Sequence, residues 1–159
     1  MKTATITELK KELKYYEKED LMQLCLRLAK FKKDNKDLLT YLIFEANNEE
    51  QYIRSIQEWM LEQFEAINVK SFYYTKKSCR KILRDLRKYI RYSSKKATEV
   101  ELLLFYCTQL KKIRPSIFKS VQLGNLYERQ ILNIQKAIAK LHEDLQFDYE
   151  EELDYLESL

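Results

Sequence analysis

Arginine and lysine recur along one stretch of the chain at the spacing of a single helix face. Between Lys70 and Lys96 there are eleven basic residues and one acid, Asp85, so this segment carries a formal charge of +10. Guanidinium and ammonium groups bind phosphates and carboxylates, and the planar fork of arginine can do so with two parallel hydrogen bonds. The residue types therefore point to the binding of an anionic partner.

The spacing places most of these bases on one side of a helix predicted over about residues 71–92. At about 100° per residue, the bases between Lys76 and Arg91 fall mainly within an arc of roughly 80°, and aliphatic side chains occupy the opposite side. Such a helix is about 30 Å long. The candidate contacts for a polyanion or a protein partner, named here the basic stripe, are Lys76, Arg80, Arg84, Arg87, Lys88 and Arg91.

Aromatic residues accompany the basic stripe. Tyr73 is predicted on the stripe side, and Tyr74 and Tyr92 near its edge. Such rings are suited to stacking on unpaired bases, and tyrosine is also enriched at protein interfaces. The three tyrosines are therefore candidate aromatic contacts for either kind of partner.

Three interpretations of the basic stripe remain open. Like charges four residues apart repel by only a few tenths of a kcal/mol, so a solvated basic face needs no partner. The segment from Glu143 onward has eight acids and no base, so it can neutralise the stripe within the chain or in a dimer. A solvated or internally neutralised face is the first interpretation. The second is a protein partner or another carboxylate-rich partner, and the third is nucleic acid, for which no recognised motif is present.

Other chemistry is poorly supported. His142 is the only histidine, so a helical di-iron site with two Glu-x-x-His pairs is excluded, and no cluster of Cys and His suits zinc. A single glycine rules out a glycine-rich phosphate loop. We expect no catalytic residue, no metal ligand and no cofactor. A hydrolase built from carboxylates alone ranks third among the functions, because the sequence does not show which acids converge.

Composition predicts the fold class. The 159 residues include one glycine, one proline and three valines, which disfavours sheets and long turns. We expect an all-α protein of about seven helices, with antiparallel helical hairpins stacked as a bundle or a short superhelical array.

Local sequence signals predict where several helices begin and end. Thr5 and Glu8 form a capping box for the first helix, and the apolar third helix, at about residues 36–46, is predicted to be central. Thr98 with Glu101 predicts a cap for the sixth helix, and Gly124 a break before a last helix over about residues 126–145. We expect a single helical domain over residues 1–147 and an acidic tail over 148–159, which is either a short helix or partly ordered.

Cysteine usage and hydropathy predict a cytoplasmic protein that does not enter a membrane. The three cysteines are an odd number without a CxxC pair, the first residues lack an apolar leader, and no stretch approaches about 20 apolar residues. We therefore expect a non-enzymatic binding or scaffold protein that engages a protein partner or itself as a homo-oligomer. The alternative is a nucleic-acid-binding protein that uses the basic helix over residues 72–92.

Overall fold

The computed structural model describes residues 1–158 and confirms an all-α protein. Within those residues there are eight α-helices and no strand, one helix more than the sequence predicts. A π-helical turn at Tyr41–Glu45 and a 3-10 turn at Ile117–Lys119 complete the regular structure. The helices are α1 (Ile6–Leu13), α2 (Lys18–Phe31), α3 (Lys33–Thr40), α4 (Glu49–Glu65), α5 (Phe72–Ser93), α6 (Lys96–Lys112), α7 (Val121–Ile138) and α8 (Glu143–Glu157).

The chain forms two compact units, of which the first is Met1–Ile43 with α1, α2 and α3. The capping box at its start is confirmed, since the Thr5 amide donates to Glu8 at 2.7 Å and the Glu8 amide donates to the Thr5 hydroxyl at 3.2 Å. Helix α2 packs against α3. Ala29 is buried, whereas most of the larger apolar side chains of this unit are exposed.

The second unit extends from Phe44 to the end of the described chain and contains α4 to α8. Helix α6 is its centre, because α6 packs against α4, α5, α7 and α8. Leu104, Tyr106 and Leu110 on α6 are fully buried, and the Tyr106 hydroxyl donates to the Cys79 carbonyl at 2.8 Å. Consecutive helices from α4 to α8 contact one another, as expected for helical hairpins joined by short loops.

The prediction that the third helix is central was wrong. Its apolar run is divided at Thr40 between α3 and the π-helical turn, and Leu42, Ile43 and Phe44 are exposed. The central position belongs to α6, whose segment from Val100 to Leu110 is apolar around most of its circumference. An apolar composition shows that a helix can be covered on several sides, but it does not show which helices supply the cover.

The start of α6 also differs from the prediction. The helix begins at Lys96, so Thr98 lies inside it and does not act as its cap. The buried Thr98 hydroxyl instead donates to the Glu49 carboxylate at 2.8 Å. The same carboxylate accepts from the Ser93 hydroxyl and from the Lys95 ammonium, the latter at 3.3 Å. One carboxylate therefore holds the start of α4 to the junction between α5 and α6.

The break predicted at Gly124 is absent. Helix α7 begins at Val121, where the Ser120 hydroxyl accepts from the Leu123 amide, and Gly124 lies in the first turn of the helix. A helical glycine costs only about 1 kcal/mol relative to alanine, which packing readily offsets. The helix ends at Ile138 rather than near Leu145, and a turn separates it from α8.

The boundary expected after residue 147, between the helical domain and the acidic tail, lies inside α8. Helix α8 spans Glu143–Glu157 and packs against α6 and α7. Leu153 and Leu156 are buried, and the Tyr127 hydroxyl donates to the Leu156 carbonyl at 2.6 Å. The acidic segment is thus a docked helix of the second unit, because its inner face carries apolar side chains despite its high negative charge.

Candidate functional site

The basic stripe lies along the solvent side of α5. Ser71 caps the helix, since its hydroxyl accepts from the Tyr74 amide at 3.4 Å. Cys79, Ile82, Leu83 and Leu86 are buried on the inner side of the helix. On the outer side the four arginines of the stripe are exposed, while Lys76 and Lys88 are half-buried. The separation of faces predicted from the sequence is therefore present in the structure.

A second helix contributes to the surface around the stripe. Between α5 and α7 lies an open cleft of about 440 Å³. Helix α7 supplies Arg129, Leu126 and Gln130 to this cleft, and α5 supplies Leu83 to its floor. The basic residues that line the cleft are Arg80, Arg84, Arg87, Lys88, Arg91 and Arg129.

A buried glutamine positions one of these arginines. The Arg87 guanidinium donates to Gln130 Oε1 at 3.3 Å, and Gln130 is 0% exposed. The Asn133 amide donates to the same oxygen at 3.3 Å, and Gln130 Nε2 donates to the Leu126 carbonyl at 3.3 Å. Because hydrogen bonds to Asn133 and to the Leu126 carbonyl hold the Gln130 side chain in place, Gln130 restricts the directions in which Arg87 can point.

A second depression continues the cleft toward the start of α5. Its volume is about 790 Å³, and it shares Arg80 and Arg84 with the first. Lys76 lies 5.9 Å from the centre of the Tyr73 ring, and its ammonium donates to Gln122 on α7. Together the two depressions form the basic groove, whose nine basic side chains are Lys76, Lys77, Arg80, Lys81, Arg84, Arg87, Lys88, Arg91 and Arg129.

Most arginines of the basic groove form no ion pair within residues 1–158. Arg84 pairs with Asp85 at 3.6 Å, in an ion pair exposed to solvent. Among the residues that the structure describes, no ion pair joins Arg80, Arg91 or Arg129 to an acid. No acidic side chain lines either depression within residues 1–158. An anion that enters the groove therefore meets arginine forks with free hydrogen-bond donors.

The candidate aromatic residues occupy two different places. Tyr73 and Tyr74 are both exposed at the start of α5, with ring centres 5.2 Å apart in an edge-to-face arrangement. Tyr92 lies at the other end of the helix, half-buried against the Tyr89 ring at 6.1 Å. Only the first pair adjoins the basic groove, which Tyr73 helps to line.

Helix α8 is attached to the unit through helices other than α5. The Tyr149 hydroxyl donates to Glu101 at 2.8 Å, and the Lys111 ammonium donates to the Tyr155 carbonyl at 2.7 Å. Gln135 on α7 donates to Glu157. None of the ion pairs found in residues 1–158 joins α8 to the arginines of the stripe. The acidic residues of α8, all exposed, are Glu143, Asp144, Asp148, Glu150, Glu151, Glu152, Asp154 and Glu157.

His142, at the N-cap of α8, and the two buried cysteines belong to different helices of the described chain. No cluster of three or more His, Cys, Asp or Glu side chains suited to a metal ion occurs there. His142 is exposed at the start of α8, where its ring accepts from the Asp144 amide at 3.3 Å. Burial raises the pKa of the Cys79 thiol to about 12 and raises that of Cys107 as well, so neither is a ready nucleophile at neutral pH.

Sequence reasoning missed Arg129 and Gln130 as members of the site. Both lie on α7, about forty residues after the stripe, and no local pattern links them to α5. No protein-family model matches the chain, and neither a curated protein nor a solved structure matches it. Within residues 1–158, every helix is too short or too polar to span a membrane.

Proposed function

We propose that the chain is a non-enzymatic binding protein that holds an acidic segment of a protein partner in the basic groove. The observation that carries this proposal is that eight basic side chains from α5 and one from α7 line two adjoining depressions, which share Arg80 and Arg84 and have no acidic lining residue within residues 1–158. Arginine forks match the geometry of carboxylates, and several such contacts are needed because each exposed pair contributes only about 0.2–1 kcal/mol.

The floor of the groove supports a protein segment as the occupant. Leu83 is buried beneath the stripe, and half-buried Leu126 extends the apolar floor onto α7. An acidic peptide can place its aliphatic side chains on this floor while its carboxylates reach the arginines. Protein interfaces combine such an apolar centre with a polar rim, and they are enriched in arginine.

Charge reversal within the groove tests this proposal. The probe is a fluorescently labelled oligoglutamate, whose binding is followed by anisotropy. Because each lost contact is replaced by repulsion, we expect the combined groove variant to weaken binding at least about tenfold, equivalent to about 1.4 kcal/mol. The groove variant carries Arg84→Glu, Arg87→Glu and Arg129→Glu.

The matched control changes the same net charge at exposed sites away from the groove. It should retain most of the affinity of the native chain, because groove geometry and not total charge provides the binding. Equal losses in the groove variant and in the control would contradict the proposal. The control variant carries Lys112→Glu, Lys119→Glu and Lys140→Glu.

A second candidate function, nucleic-acid binding, is favoured by the length of the stripe and by the exposed tyrosine pair. Helix α5 has 22 residues and is therefore about 33 Å long. A duplex carries one charge per roughly 1.7 Å of axis, so such a stripe spans many phosphates. Tyr73 and Tyr74 lie beside its first lysines and offer ring faces to unpaired bases.

Salt dependence and strand preference test the second candidate. If the groove binds phosphates, the logarithm of the affinity for labelled DNA should fall linearly with the logarithm of the salt concentration. Replacement of Tyr73 and Tyr74 by alanine should weaken single-strand binding more than duplex binding, because only unpaired bases stack on the rings. Absence of DNA binding at low salt would remove this candidate and leave the acidic-peptide proposal intact.

A further inference from the structure

We propose that the acidic segment bound by the basic groove is α8 of a second copy of this chain. This inference rests on the proposed function, because it names the partner of the same groove. The basic groove and α8 carry opposite charges. Nine bases line the groove, and α8 with the residues after it carries eight acids and no base.

The outer face of α8 is available for such a contact. Tyr149, Leu153 and Leu156 lie on one side of the helix, at the 4, 7 spacing of a docked face. At about 100° per residue, Asp148, Glu151 and Asp154 lie within roughly 120° on the other side, and all three are exposed. The helix thus presents carboxylates outward while its apolar side is held in the core.

Helix α8 is also short enough to lie along the groove. The 15 residues of α8 extend about 22 Å, and the 22 residues of α5 extend about 33 Å. A docked acidic helix therefore fits along the groove with its carboxylates beside successive arginines. Exposed Phe147 and Tyr155 on α8 supply large apolar side chains for the leucine floor.

Within residues 1–158, the attachment of α8 does not use the arginines of the groove on its own chain. Its inner contacts run to α6 and α7, through Glu101, Lys111, Tyr127 and Gln135. In the described part of the chain, no ion pair joins it to the arginines of its own groove. The outward acids of α8 and the arginines of the groove are therefore not paired within the described residues of one chain, which leaves both for a contact with a second copy.

Each copy has both a basic groove and an acidic α8, so the contact between them can form in two arrangements. If both copies exchange α8, two identical contacts close a symmetric dimer; if only one contact forms at a time, the copies extend into a chain. Both arrangements are self-association through α8 and the groove. Both weaken with salt, because exposed charges more than a Debye length apart are screened.

Sedimentation velocity of the full chain tests the inference. At about 0.01 M ionic strength, where the Debye length is about 30 Å, the native chain should sediment as a dimer or larger species. At about 1 M, where that length is about 3 Å, it should be monomeric. The groove variant should weaken self-association about 100-fold, because like charges brought together at an interface are strongly repulsive.

A charge-swapped partner provides the decisive comparison. The α8 variant should also be monomeric alone, because the three lysines on the outer face of its α8 meet the arginines of an unaltered groove. Mixed with the groove variant, it should restore association, since the unaltered α8 of the groove variant then meets the unaltered groove of the α8 variant. Far-ultraviolet circular dichroism of each variant checks that the helices remain formed. The α8 variant carries Asp148→Lys, Glu151→Lys and Asp154→Lys.

Three outcomes would overturn the inference. They are a native chain that is monomeric at low salt, a groove variant that associates as the native chain does, and variants whose mixture remains monomeric. A monomeric chain that still binds oligoglutamate through the groove would leave the proposed function standing, whereas loss of that binding would refute both. A monomeric chain that binds DNA through the groove would assign the groove to nucleic acid.

Discussion

Replacement of Leu156 by alanine should destabilise the second unit by about 2.5 kcal/mol. The Leu156 side chain is 0% exposed, and it lies with Tyr127, Phe118 and Ile131 at the contact between α8 and α7. The substitution removes three methylene-sized groups at about 0.8 kcal/mol each, or about 2.4 kcal/mol. Buried Leu→Ala changes cost about 2–5 kcal/mol, depending on how far the site relaxes. An open cleft of about 370 Å³ borders this site, so we expect a value at the low end.

Urea denaturation followed by tryptophan fluorescence measures this loss. Trp59 is the only tryptophan and packs against the Tyr89 ring at 5.1 Å, so its emission reports the unfolding of the second unit. We expect the transition midpoint to fall while the slope of the free energy of unfolding against urea stays unchanged. An unchanged slope would show that the variant loses packing without a change in the surface that unfolding exposes.

A control on the same helix separates packing from helix propensity. Leu145 is 40% exposed, and Leu145→Ala should change the free energy of unfolding by less than about 0.5 kcal/mol. If Leu156→Ala also costs less than about 0.5 kcal/mol, α8 does not dock on the unit and the reasoning is refuted. A large, equal loss in both variants would mean that the cost does not come from the burial of Leu156, because alanine forms helices at least as readily as leucine.

Two further predictions concern titratable groups. Cys25 is exposed and should react with a thiol reagent in the folded chain, whereas buried Cys79 and Cys107, whose pKa values burial raises, should react only after unfolding. Although Glu152 is exposed as a residue, partial desolvation of its carboxylate, and secondarily the neighbouring Glu101, raises its pKa, so its charged form costs more in the folded chain than in the unfolded one. Glu152→Gln should therefore raise the free energy of unfolding at pH 7 by about a few tenths of a kcal/mol, after allowance for solvent screening. The gain should vanish as the pH falls below the unfolded pKa of about 4.3, and Glu151→Gln, one residue away, is the control in the same denaturation assay.

The basic stripe could be predicted from the sequence because helix periodicity is local information. Bases at spacings of three and four residues, with Cys79, Ile82 and Leu86 between them, define two faces whatever the tertiary structure. The groove could not be predicted in this way. Arg129 joins the stripe only because α7 packs beside α5, and no sequence pattern encodes that pairing.

The docking of α8 had a weaker signal in the sequence. Tyr149, Leu153 and Leu156 follow the 4, 7 spacing of a buried face, but acids surround them on every side. Net charge describes the outer face of a helix, while a few apolar side chains decide whether its inner face packs. The segment was therefore expected to be a tail although it carries the pattern of a docked helix.

The docking of α8 also determines how its charge must be removed in an experiment. Deletion of the residues after Phe147 would uncover Tyr127 and Ile131 on α7, so a change in anion binding would mix a loss of charge with a loss of packing. Substitution of outward-facing acids avoids this difficulty, because the buried leucines and the Tyr127 hydrogen bond remain in place. An altered affinity in such a variant, with the free energy of unfolding unchanged, can then be assigned to the acidic face of α8 alone.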